Sequence, residues 1–260
     1  MAYTNSSLVS YTKLSPNHSG QRTHSIDRIT PHCVVGQLTA ESICGCFTSP
    51  SRQASCNYGI GKDGKIALCV EEKNRSWCSS SSANDQRAVT IECASGLNHP
   101  YAMTTAVYNS LVKLCTDICK RNGKKKLLWL GDKNKTLNYS PKSDEMVLTV
   151  HRWFANKSCP GDWLYSRLGD LASKVTAALG GSSSETAGSV LYRVRKSWSD
   201  AKSQKGAFNN LDNAKKCADS NAGYSVFDES GKVVYTGKQS GAEVQPFRSC
   251  TGNSNRLEYP

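Results

Sequence analysis

Nowhere does the chain carry an apolar run approaching the roughly 18 residues that a membrane-spanning helix requires, and its mean hydropathy is −0.51. A membrane-inserted protein is excluded on that ground. The opening MAYTNSSLVSYTKLSPNHSG lacks the basic and apolar regions of a secretory signal. The expectation is therefore synthesis and folding in a reducing cytoplasm. Acidic residues are scarce, 21 against 33 Lys and Arg, for a formal charge of +12. A polyanionic partner follows: nucleic acid, anionic lipid or cell-wall polymer. No helix-turn-helix, zinc-finger or base-stacking motif accompanies the charge, so nucleic acid is not expected.

What the chain does have is enough apolar content, 38% of 260 residues, for a medium domain and a smaller one. It also has 12 cysteines. In a reducing compartment most of these act as small buried hydrophobes; pairs such as Cys44/Cys46 and Cys115/Cys119 are open to oxidation outside the cell, with a connectivity that sequence does not set. The clearest shift in composition is GGSSSETAGS from Gly180 to Ser189, a flexible-linker composition. It predicts a first domain over residues 1–180, a linker over 181–189 and a second domain over 190–260.

In the first domain, SIDRITPHCVVG, KIALCV and AVTIECAS read as strands, and a fourth, MVLTVHRWF, begins near Met146. Val107, Leu111, Leu114, Cys115 and Ile118 recur at helical spacing and Gly123 supplies a stop. After Pro160, Leu164, Leu168, Leu171, Val175 and Leu179 predict another amphipathic helix. Strands mixed with long helices imply an α/β fold, a central mixed β-sheet flanked by helices. The tail reads as a small βαββ module: strand VLYRVRKSW, helix NNLDNAKKCADSNAG and hairpin YSVFDESGKVVYTG.

Five histidines are few enough to weigh singly. His32 closes one predicted strand, and His151 lies near the end of another, eight residues before Cys159. Two imidazoles, a thiolate and an open fourth position satisfy a catalytic zinc, and strand ends hold such ligands rigidly. A lone strand histidine is otherwise commonly a satisfied core residue. His18 and His24 read as solvated loop side chains, His99 as a cap or groove residue, and Cys33, by period-2 alternation, as core. Among the aromatics, Trp77, Trp153, Trp163 and Trp198 are candidates for stacking on sugar or peptide, with Trp153 placed toward the groove and Trp163 at a buried helix start.

The segments ITPHCVVG, NYGIGKDGKIALCVEE, AVTIECAS and HRWFANKSCPGDWL, in this order, resemble the zinc-dependent type 2 N-acetylmuramoyl-L-alanine amidases, the family of phage amidase-type lysozymes and peptidoglycan recognition proteins. The resemblance runs from about Ile29 to the helix after Pro160. It implies Zn2+ held by His32, His151 and Cys159, with Tyr58, Lys157 and Glu92 as catalytic groups. It further implies hydrolysis of the amide between N-acetylmuramic acid and L-alanine by a zinc-activated water. Tyr58 would orient that water, Lys157 would stabilise the oxyanion and Glu92 would take its proton. The alternative is a peptidoglycan-recognition protein that binds without cutting, a group that typically lacks the cysteine ligand. The tail resembles the sporulation-related repeat that binds glycan strands, which implies bacterial peptidoglycan, and anionic wall polymers, as partners. The order of domains resembles a phage or prophage endolysin, which implies residence in the host cytoplasm until lysis and then action at the cell wall.

Overall fold

The computed structural model describes residues 3–180, 191–208, 211–228 and 230–238. The expected linker, residues 181–189, lies outside the described residues. The chain divides into two compact units, residues 1–186 and 187–260. In chain order the first contains β1 (Val9–Thr12), β2 (His18–Gln21), β3 (Arg28–Cys33), α1 (Ala40–Gly45), β4 (Tyr58–Ile60), β5 (Ile66–Leu68) and β6 (Asn74–Ser76). It continues with α2 (Ser82–Arg87), β7 (Ala88–Cys93), α3 (Thr105–Arg121), β8 (Lys126–Leu128), α4 (Lys133–Leu137), β9 (Glu145–Leu148), α5 (Asp162–Tyr165) and α6 (Leu168–Ala178).

Seven strands form one sheet in the order β1-β5-β4-β7-β3-β9-β8. Every neighbouring pair is parallel except β4 with β5, which makes the sheet mixed. The interior strand β3 is buried along its whole length, as expected where helices cover both faces. Gly59 and Gly61 define one covered face. A Cβ on Gly59 would lie 2.7 Å from Ile43 Cγ2, and one on Gly61 2.4 Å from the Ala40 nitrogen, so α1 rests directly on β4 where only glycine fits. Tyr58 and Ile60 point to the opposite face, which α3 covers.

Helix α3 is the helix its apolar spacing predicts. Thr104 caps it by accepting from the Val107 amide, and Val107, Leu111, Leu114, Cys115 and Ile118 are all buried. Each buried Leu or Ile contributes roughly 1.5–3 kcal/mol. Gly123, at φ +67°, takes the left-handed turn that ends it. The apolar stripe after Pro160 is not one helix: α5 and α6 are separate, because Arg167, at φ −108° and ψ 2°, leaves helical geometry between them. Both segments still bury the expected face, through Leu164 and through Leu168, Leu171 and Val175.

The cysteine expectation is corrected at one pair. Cys44 bonds to Cys69, not to Cys46, because positions two apart on a helix diverge while Cys44 faces the end of β5. Cys115 and Cys119 remain thiols. The lead segment is also more structured than its polarity predicts: β1 adds to the sheet edge on β5, and buried Ser15 and Asn17 both donate to the Phe47 carbonyl.

The second unit contains β10 (Tyr192–Arg195), β11 (Gly206–Phe208), α7 (Leu211–Asp219), β12 (Ser225–Phe227) and β13 (Val233–Thr236). They make an antiparallel sheet in the order β11-β10-β12-β13. Strand β11 is an addition to the expected βαββ order, its three residues too few to carry an alternation signal. Val194, Ala214, Ala218, Tyr224 and Val226 form a core of this unit's own. No helix among the described residues is long and apolar enough to cross a membrane.

Candidate active site

Three adjacent parallel strands deliver the site. His32 is the penultimate residue of β3 and pairs in register with Glu92 on β7. His151 follows β9 by three residues, in a single 3-10 turn over His151–Trp153, so it lies just past a strand rather than on one. Cys159 arrives from the next loop, whose path is held by Arg152 donating to the carbonyls of Ser158 and Cys159.

These side chains converge. Cys159 Sγ lies 3.3 Å from His32 Nδ1, and the two imidazole rings meet edge to face with centroids 5.0 Å apart. One donor atom from each of His32, His151 and Cys159 lies within 4.8 Å of the others. Ser80 Oγ lies 2.9 Å from His151 Nε2 and fixes that ring's orientation. Glu92 Oε1 is 3.9 Å from His32 Nδ1. Both His32 Nε2 and Glu92 Oε2 are buried with no hydrogen-bond partner among the described residues.

Burial sets the charge states. It pushes the His32 pKa well below the usual imidazole range, and the neighbouring His151 adds to the shift. His151 is lowered by burial and then by Lys157. Two neutral imidazoles with free lone pairs are what a metal ion accepts. A hydrogen bond with Cys33, then burial and the Glu92 charge, hold the Cys159 thiol well above its usual range, a preference that an adjacent divalent cation reverses. Burial pushes Glu92 up to about 7. Donor chemistry and spacing together fit a tetrahedral metal centre with an open position.

His151, Cys159 and Glu92 form part of the wall of a cavity of about 700 Å³, also lined by Arg52, Trp77, Cys78, Ser80 and Lys157. Neither Arg52 nor Lys157 makes an ion pair among the described residues, so both cations are available to an anionic ligand.

The structure brings five of the six expected residues together and leaves out Tyr58. That expectation is corrected: β4 pairs Tyr58 with Ile91 and Gly59 with Glu92, so the ring points to the face opposite the cluster. It is fully buried there. Its hydroxyl donates to Glu72 Oε1 at 2.6 Å and accepts from the Ser6 amide at 2.8 Å, and Arg121 completes the network on Glu72. Trp153 is likewise buried, stacked on Trp129 at 5.2 Å, and does not line the groove. His99 is an exposed partner of Asp162 at 2.8 Å.

Cys33, Cys78, Ser80 and Arg52 were not singled out for the site. Cys33 is buried in the core as strand alternation predicts, and, ending β3, it also lines the cavity. Ser80 belongs to the Ser79–Ser82 run, which reads as a plain loop. Its positive φ of +61° is visible only in the fold.

Residues 22–162 match the N-acetylmuramoyl-L-alanine amidase family. The chain belongs to that family. The matched span is more than half of the chain and includes every residue of the cluster. As a member, this amidase hydrolyses amide bonds of peptidoglycan. Solved structures similar to it include PlyL, 15% identical with a TM-score of 0.45, covering 64% of this chain and 95% of that one. LysCS, an endolysin amidase from Clostridium intestinale, is 16% identical with a TM-score of 0.41, over 67% of this chain and 98% of that one. An AmpD derivative is 17% identical with a TM-score of 0.46, over 69% and 99%. Among curated proteins none matches the chain.

Proposed function

We propose that His32, His151 and Cys159 hold a zinc ion and that the amidase cuts between the lactyl group of N-acetylmuramic acid and L-alanine. The observation that carries this reading is the convergence of two neutral imidazoles and a thiol at one end of adjacent parallel strands. When bound, zinc supplies Lewis-acid polarisation of a carbonyl and an acidified water.

The remaining chemistry falls to side chains. Glu92 Oε2, buried and without a partner among the described residues, accepts the proton of the attacking water and passes it to the leaving nitrogen. Lys157 stabilises the tetrahedral oxyanion, a contribution of about 3 kcal/mol for a well-aimed donor. Ser80 orients His151, as outer-shell partners of ligating histidines do. The walls around Arg52 and Trp77 receive the stem peptide and the sugar.

The second unit acts as a wall-binding module. Support comes from its exposed Trp198, with the Arg195 guanidinium 5.1 Å from the ring centre, an arrangement suited to an anionic polysaccharide. This architecture suits an endolysin that acts on the wall from the cytoplasmic side.

Incubation with peptidoglycan, with and without a chelator, tests the reading through new alanine N-termini and released reducing sugar. Alanine ends that vanish on chelation and return with zinc are the expected result. Reducing sugar without alanine ends, or wall binding without release, overturns it, the latter in favour of a recognition protein.

A further inference from the structure

Cys78 and Glu92 stand outside the three-donor set yet face the same imidazole. Cys78 follows β6 at the mouth of the serine loop, and Glu92 lies on β7 in register with His32. Cys78 Sγ is 3.8 Å from Glu92 Oε1, and that oxygen is 3.9 Å from His32 Nδ1. One donor atom from each of His32, Cys78 and Glu92 lies within 4.8 Å of the others. Ligand atoms on a tetrahedral zinc, with bonds of about 2.0–2.3 Å, stand about 3.3–3.8 Å apart. The 3.8 and 3.9 Å separations stand at the upper edge of that range, and the third lies within 4.8 Å.

Hydrogen bonding within the protein satisfies this group poorly. An S···O distance of 3.8 Å makes a weak bond, and the other carboxylate oxygen has no partner among the described residues. Charge points the same way. A thiolate and a carboxylate together neutralise a divalent ion, which suits a buried site, where net charge is costly.

We infer that His32, Cys78 and Glu92 form a second donor set for a soft divalent cation such as zinc, alternative to the first because both require His32. The inference rests on the proposed metal centre at His32, His151 and Cys159. An ion in the second set occupies Glu92, the proton acceptor, so the two occupancies differ in function: the first is productive and the second is a resting state.

Cobalt(II) titration of the full-length chain reads the thiolates directly, through thiolate-to-cobalt charge-transfer absorbance and metal stoichiometry. The wild type, Cys159→Ser, and the double variant Cys78→Ser/Cys159→Ser are compared, each checked for a native circular dichroism spectrum. Cys159→Ser is expected to keep one cobalt with a thiolate band, and the double variant to lose the band. A Cys159→Ser protein without the band overturns the second set while leaving the first intact. A band that survives in the double variant overturns it too, by assigning the thiolate to another free cysteine such as Cys33 or Cys46 of the cavity wall. Wild type without bound cobalt overturns the underlying metal centre itself.

Discussion

Tyr58 and Lys157 make a contrasting pair of residues. Tyr58 carries an aromatic hydroxyl in a motif associated with catalysis, yet it spends that hydroxyl on Glu72 and the Ser6 amide. Tyr58→Phe leaves a buried carboxylate and a buried amide each short of a partner, a loss of about 1–3 kcal/mol. Urea unfolding should register that loss while turnover per folded molecule stays unchanged. Lys157, on the cavity wall, has the opposite expectation. Lys157→Ala should keep its zinc and its stability and lose roughly 10²-fold in kcat, the scale for removing an oxyanion donor. A fall in turnover for Tyr58→Phe, or none for Lys157→Ala, would reverse the two assignments.

At the scale of elements, the Cys44–Cys69 bond, which spans 25 residues of sequence, ties α1 to the end of β5 beside the cavity. Closing a loop of that length stabilises by about 3 kcal/mol in the chain-entropy account. The double variant Cys44→Ala/Cys69→Ala should show a loss of that size in denaturant unfolding, and reducing agent should bring the wild type to the same midpoint. A wild type indifferent to reductant would mean that the bond contributes nothing in solution.

Legibility in the sequence follows the same elements. Strands β3 and β7 and helix α3 are readable because each is long, apolar and bounded by turn residues, and β9 because its buried run continues past the strand to Val150. The two histidines lie at or soon after such strands, whereas Cys159 comes from a loop and is readable only through the motif that carries it. Short edges such as β1, β2, β6 and β11 are not, since three or four residues carry little periodicity. Tyr58 misleads because a motif shows which residues are present and not which face of the sheet each one takes. Cys33, Cys78 and Ser80 lie at strand ends and in loops, where side-chain direction depends on tertiary packing.

For the molecule as a whole, two units with separate cores predict separable functions. If the second unit binds the wall as proposed, a chain ending at residue 186 should cleave a soluble muropeptide at nearly the full-length rate and bind whole walls less tightly, since a tethered wall-binding module raises the local concentration of the catalytic unit. Sedimentation with purified walls beside a muropeptide assay distinguishes this from a single cooperative machine, in which both activities fall together.

The register of the central sheet has a broader consequence. The backbone hydrogen bonds that set His32 opposite Glu92 serve as a ruler. They space the donor groups with bonds that contain none of those side chains. Sliding β7 by one residue would present Ile91 or Cys93 in place of the carboxylate and turn it to the other face. Tolerance to change should therefore follow the ruler: cavity-lining loop positions other than Ser80, His151, Lys157 and Cys159 can be exchanged to suit new substrates, while substitutions deep in β3 and β7, far from any substrate, would blur the chemistry.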